Sequence, residues 1–410
     1  MHNSNGLHRR RFLIGTAGAL ASASTRSLVA FGADDDLPRP SQLVRGKDDR
    51  LLVHKDGPVV MGTPDRLLRQ DRVTSKQLLF VRNNFDRPEL MNLDPRPLAG
   101  WQIEIVAGTG EPRAVDAASL VRLDHAEHEM VLQCSGNGRS MFSRSAQTLG
   151  TQWDRDAVGN VRFGGAPLAA VFEAAGVSID EAAGFLTAEG ADGPDNPHDA
   201  DFEHSVPLHV ALERSILATH LNGELLPAIH GGPVRLVTPG YYATMNVKWV
   251  TRLRLESQET DNLFQAQKYR TPKRPIRPGT EYEFTFDNSD PNWDMRINSR
   301  ILNPTNRSSV HRGANIISGV AWNDGGSPLV AVELSMDLGR SWRRAELTVP
   351  HSAYAWYDWQ ATVELVPRQQ TIWSRAVDAL GRSQPIDGSI FWNPRGYTWN
   401  EVDKVTLDVS

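Results

Sequence analysis

The stretch Thr271 to Gly279, T-P-K-R-P-I-R-P-G, holds three prolines and three basic residues in nine positions. Proline fixes φ and has no amide donor, so this stretch can be neither a helix interior nor a central strand. It therefore breaks the 410-residue chain, and length alone already favours two folded units. We place a linker at 271–280, between a domain at 78–270 and another at 281–410. The texture differs on the two sides. Before the linker, apolar runs such as Leu78-Leu79-Phe80-Val81 and Met130-Val131-Leu132 suit buried strands, and Trp101 to Val106 alternates as a strand. Ala166 to Ala175 has helical spacing, with Leu168, Val171 and Phe172 on one face. Helices mixed with strands at Gly-rich joints predict an α+β domain. After the linker, Val330, Val332, Leu334 and Met336 alternate, and turn signals recur at Asp324-Gly325-Gly326, Leu338-Gly339 and Leu380-Gly381. Short alternating strands over roughly 100 residues predict an all-β, immunoglobulin-like sandwich.

Composition narrows function by exclusion. Apolar residues at 40% and charged residues at 23% suit a folded globular chain. A formal net charge of -5 gives no support for nucleic-acid binding, which usually needs a concentrated basic face. Cys134 is the only cysteine, so this chain cannot form an intramolecular disulfide, a Cys-rich zinc site or its own iron–sulfur cluster, and it has no C-x-x-C-H haem attachment. The N-terminus carries Arg9-Arg10-Arg11-Phe12-Leu13 ahead of the apolar stretch Phe12 to Ala23, which is short for a bilayer span. Residues 1–33 therefore read as a twin-arginine export signal, with a periplasmic destination and no membrane span after its removal. Residues 34–77, polar and Pro-containing, read as an extended N-terminal arm.

The chemistry concentrates around Cys134. It ends an apolar strand and opens a loop, Q-C-S-G-N-G-R, whose glycines allow backbone to approach a ligand and whose Arg139 supplies a cation. A buried structural thiol is the ordinary reading of such a cysteine. The surrounding motifs point elsewhere. Val131 to Ser140, V-L-Q-C-S-G-N-G-R-S, resembles the molybdenum-binding loop of the sulfite oxidase family. Phe80-Val81-Arg82-Asn83-Asn84, Gln152-Trp153-Asp154, His230-Gly231-Gly232-Pro233-Val234-Arg235, Asn246-Val247-Lys248-Trp249 and Phe264 to Tyr269 resemble further family segments in order. So do Ile297-Asn298-Ser299, Gly319 to Trp322 and Trp392-Asn393-Pro394-Arg395-Gly396-Tyr397 in the C-terminal part.

The resemblance implies a molybdopterin-binding catalytic domain followed by a dimerisation domain. It implies Cys134 as the protein ligand to molybdenum in a pyranopterin-dithiolene cofactor. Phe80, Val81, Arg82, Asn83, Asn84, Asp192, His230, Arg235, Asn246, Val247 and Lys248 would hold the cofactor, a buried phosphate needing such cationic donors. Arg82, Arg139, Trp153 and Tyr269 would act on a small sulfur oxyanion, sulfite. Two departures weaken the expected anion cage: Asn84 replaces a frequent His, and Gly138 replaces a second basic residue. A further pocket arginine finds no place in this reading. No haem-binding segment is evident, so electrons are expected to pass to an external c-type cytochrome, with the enzyme as a homodimer or paired with a cytochrome subunit. Two other readings compete. One keeps the cofactor in a sulfane dehydrogenase subunit or sulfoxide reductase. The other is a non-enzymatic binding protein that keeps the fold without the metal.

Overall fold

The computed structural model describes residues 37–410, except 69–70, 86–87, 92–93, 109, 180–181 and 195–198. The candidate export signal, residues 1–33, and the first residues of the N-terminal arm, 34–36, lie outside the described residues. Residues Pro38–Ser410 form one compact unit.

Two five-stranded sheets build the half before the linker. In one, Ala126–Gln133 pairs antiparallel with Val158–Pro167, which pairs with Ile216–Leu221; Arg235–Val237 and Glu224–Leu225 complete it. In the other, Val250–Glu256 lies parallel to Gln102–Ala107 and antiparallel to Phe185–Gly190. Apolar faces of both meet in one core. Ile103, Ile105, Leu186 and Leu253 from one sheet and Leu217 and Leu236 from the other pack there with Leu168, Val171 and Phe172. Burying each large side chain contributes about 1.5–3 kcal/mol of transfer free energy. The helix expected from Leu168, Val171 and Phe172 runs Leu168–Ala174 and buries those three residues. It starts only after Pro167, because Ala166 and Pro167 end the preceding strand. Among the described residues the α-helices span only four to seven residues, so sheets carry the architecture.

The segment read as an extended arm is not extended. Leu52–Lys55 and Val60–Gly62 pair antiparallel, and Val60–Gly62 pairs in turn with Val81–Arg82. The short buried set Leu51, Val60, Met61, Leu67 and Leu68 drives this folding, each run being too brief to show a period. The strand expected from Leu78 begins only at Val81. Leu78 and Leu79 instead turn back, their amides donating to the Ser75 carbonyl at 3.0 and 2.9 Å, while their side chains stay buried.

Within the proline-rich stretch, Arg270–Pro272 pairs with Ser289–Pro291 in a two-stranded ribbon, where proline costs no ladder partner on its free side. Beyond it, a four-stranded and a five-stranded sheet enclose one core of Ile317, Ala321 and Trp359 facing Val332, Ile372, Ala376 and Leu407. The expected alternation fails at Val330, which is 50% exposed. The pairing register shifts between Leu329 and Ala331, and an extra residue in a strand reverses the faces on either side of it.

Candidate functional site

The chemistry-bearing residues sit at strand ends where the sheets of the N-terminal half converge. Cys134 follows Ala126–Gln133, Arg82 ends Val81–Arg82, Arg235 opens Arg235–Val237, and Tyr269 precedes Arg270–Pro272. Asp192 and Lys248 flank the paired strands Phe185–Gly190 and Val250–Glu256. These side chains, with Phe80, Asn84, His230 and Asn246, line one cleft of about 590 Å³, part of it open to solvent.

Cys134 is held by its loop. Its amide donates to the Ala157 carbonyl at 3.0 Å, and the Gly136 amide donates to its Sγ at 3.4 Å. The Ser135 and Thr244 hydroxyls share a hydrogen bond of 3.1 Å. On one wall, Asn84 Oδ1 accepts from Arg82 Nη2 at 2.8 Å and from the Tyr269 hydroxyl at 3.0 Å. The residue that stands in place of histidine thus joins the expected anion-binding arginine to the expected catalytic tyrosine. Tyr269 follows the π-helical turn Phe264–Lys268 and rests against the His204 ring at 5.3 Å. Burial lowers the His204 pKa to about 4, although its hydrogen bond with Gln265 opposes this.

The opposite wall is cationic. Arg235 donates from Nε to the Asn246 carbonyl at 3.0 Å and from Nη1 to the His230 carbonyl at 3.1 Å. Burial lowers its pKa to about 9. Lys248 donates to Asn83 Oδ1 and to the Ile229 carbonyl. Burial pulls its pKa well below the ordinary lysine value; Asp192 opposes this, and Arg235, Arg82 and Lys47 reinforce it. His230 is held neutral first by burial and then by Lys47, Arg235 and Lys248. An anion between the walls would offset the burial that depresses these basic groups and so favour their charged forms.

Other expected site residues lie elsewhere. Val81 and Val247 are buried in apolar clusters and do not line the cleft. Asn246 does line the cleft, but its side-chain amide is engaged by the loop it closes, accepting from the Thr238 amide and donating to the Tyr241 and Tyr242 carbonyls. Trp153 is fully buried between His54 and Phe80, its ring centroid 4.8 and 6.3 Å from theirs, and does not line the cleft. Arg139 does not line it either. Its Nε donates to the Arg395 carbonyl at 2.7 Å and its Nη1 to the Thr151 carbonyl at 2.8 Å. Its guanidinium covers the Tyr397 ring at 5.0 Å, and Tyr397 stacks on Tyr269 at 5.2 Å. Arg139 therefore backs Tyr269 through Tyr397, with its Nε and Nη1 held by backbone carbonyls of two loops. Gly138 has no room for a basic side chain: φ is +83° and a Cβ would lie 2.6 Å from Trp399.

Four residues that sequence reasoning left without a role belong to this region. Phe202 and Thr244 line the cleft, and Tyr397 backs it. Lys47 lies beneath, its Nζ 2.8 Å from His230 Nε2. Only Tyr397 carried a signal, in the segment Trp392 to Tyr397 already matched to the family; the others stand in unremarkable local sequence.

Comparison with known proteins agrees with this architecture. Residues 91–264 match the oxidoreductase molybdopterin binding domain, and residues 289–410 match the Mo-co oxidoreductase dimerisation domain. The chain is 31% identical over 370 residues to mitochondrial sulfite oxidase of Rattus norvegicus, covering 88% of this chain and 66% of that protein. It is 30% identical over 358 residues to sulfite oxidase of Gallus gallus, covering 84% of this chain and 75% of that one. It thus spans about two thirds to three quarters of the length of these relatives. Among solved structures, the sulfane dehydrogenase SoxCD from Paracoccus pantotrophus shares the fold, with a TM-score of 0.73. That likeness covers 96% of this chain and 97% of the other at 23% identity.

Proposed function

Because the chain belongs to the sulfite oxidase family of molybdopterin oxidoreductases, we propose that it oxidises sulfite to sulfate and passes the electrons to an external c-type cytochrome. The observation that carries this reading is the single cleft in which Cys134 faces Arg82, Tyr269, His230, Arg235 and Lys248. Its donor set suits the molybdenum cofactor. A soft sulfur ligand stands in the same cleft as buried cations suited to a phosphate. When bound, the cofactor supplies oxygen-atom transfer and two-electron redox chemistry.

The chain's own residues bind, orient and shield. Cys134 would hold the metal, its Sγ already accepting the Gly136 amide. His230, Arg235 and Lys248 would hold the pterin and phosphate. Arg82 would bind and orient the oxyanion, its free direction limited by the Asn84 contact. The Tyr269 hydroxyl keeps a proton at the cleft, shared with Asn84 Oδ1, that a sulfur oxyanion can also share. Phe80, Leu132 and Phe202 supply apolar wall that excludes water. The paired arginines of the N-terminus support export to the periplasm by the twin-arginine route. The two-sheet C-terminal half supports an immunoglobulin-like sandwich, and its match to a dimerisation domain supports a homodimer or a pairing with a cytochrome subunit.

Purified protein loaded with molybdenum should reduce cytochrome c when sulfite is added, and Cys134→Ser should lose that turnover entirely. A metal-loaded wild type inert to sulfite overturns the reading. One observation favours a second substrate class. With Arg139 spent on carbonyls, Gly138 bare and Asn84 neutral, fewer cations face the substrate than a tight anion cage needs. Faster turnover of a carrier-bound sulfane sulfur, or of methionine sulfoxide, than of sulfite would establish that alternative.

A further inference from the structure

Among the described residues from Ser41 to Arg50, Lys47 alone is buried, whereas the neighbouring Leu43 and Val44 remain partly exposed. Apolar side chains normally go inside before an ammonium does. Gly46, at φ +85°, turns the chain so that Lys47 points inward. There its three N–H donors meet three acceptors: the Lys76 carbonyl at 2.7 Å, the Leu79 carbonyl at 2.7 Å and His230 Nε2 at 2.8 Å. Leu79 immediately precedes Phe80, which lines the cleft, and His230 lines it directly.

We propose that Lys47 is a positioning residue of the cofactor site, holding the His230 ring as the Nδ1–H tautomer and adding buried positive charge beneath the cationic wall. This rests on the reading of the cleft as a molybdopterin site. An ammonium has donors only, so a nitrogen facing it must accept and the ring proton must sit on Nδ1. The Lys76 carbonyl favours a proton on the ring, but burial outweighs it and keeps the ring neutral, with one proton for its two nitrogens. Burial lowers the Lys47 pKa to about 7, with Asp94 opposing. An anion in the cleft would offset that cost, so the strain of burying Lys47 becomes affinity for an anionic ligand. Groups that orient direct ligand contacts typically change affinity by about 10–100-fold when removed. Lys47 lies outside the matched molybdopterin-binding region, which starts at residue 91. It reaches the site from the turn that precedes Leu52–Lys55, against the Lys76 and Leu79 carbonyls.

The test uses full-length protein from a cofactor-competent host. Molybdenum and pterin retained per chain are followed through prolonged dialysis for wild type, Lys47→Met and Lys47→Arg. We expect Lys47→Met to lose both about tenfold faster than wild type or more, with Lys47→Arg in between. Nitrogen-15 NMR of the histidine rings, with His230→Gln for assignment, should find Nε2 of His230 unprotonated in wild type and altered in Lys47→Met. Protonated Nε2 in wild type overturns the proposal even if Lys47→Met does not fold. A loaded wild type beside an equally retentive Lys47→Met overturns it alone. A wild type carrying neither molybdenum nor pterin overturns the reading of the cleft, and the role of Lys47 with it.

Discussion

Single side chains decide how the walls of this cleft are joined. Asn84 is the clearest case, because one carboxamide oxygen accepts from both Arg82 and Tyr269. Asn84→Ala removes that shared acceptor and leaves two long donors without a common anchor. We expect KM for sulfite to rise about tenfold with a smaller fall in kcat, since a lost hydrogen bond to a charged group is worth about 1.5–3 kcal/mol. Steady-state kinetics on cofactor-matched samples check this. An unchanged KM would remove Asn84 from the substrate wall. The motif alone suggested only that a cation was missing here. It could not show that the substitute would be a joint, because the tyrosine it meets is 185 positions away.

Whole elements set the electrostatics behind that wall. The π-helical turn Phe264–Lys268 carries Gln265 to the ring of His204, whose strand Glu203–Pro207 lies at a sheet edge. His204 is fully buried with a pKa near 4, below its ordinary value of 6.5. The unfolded chain therefore binds more protons between those values, and stability must fall as pH drops from 6.5 toward 4. We expect this contribution to reach at most about 1.4 kcal/mol per pH unit. Urea denaturation across that range should show the slope, and His204→Gln should flatten it. Periodicity found the helix at Leu168–Ala174 because a seven-residue pattern leaves a clear face. It missed the N-terminal sheet because strands of two to four residues, Val81–Arg82, Val60–Gly62 and Leu52–Lys55, leave none.

At the scale of the molecule, the two halves grip the cysteine loop together. The Trp322 indole donates to Gln133 Oε1 at 2.8 Å, and the Thr398 amide donates to the Ser135 carbonyl at 2.7 Å. These contacts bracket Cys134 on both sides. Trp322→Phe would leave the buried Gln133 oxygen without that donor, a loss of about 1–3 kcal/mol. The midpoint of denaturant unfolding should fall accordingly with an unchanged slope. A midpoint equal to wild type would show that the C-terminal half does not brace the loop through this bond.

By itself, the order of short motifs from Phe80 to Tyr397 determined the family and singled out Cys134 and most of the cationic wall as candidates, because each of those motifs is a short run legible in local sequence. The tertiary structure alone decided that Arg139 turns to the Arg395 and Thr151 carbonyls, that Trp399 crowds out a side chain at Gly138, and that Lys47 stands beneath His230. Each of these depends on a contact between residues distant in the chain, and no local pattern encodes which distant group will claim a donor or fill a space.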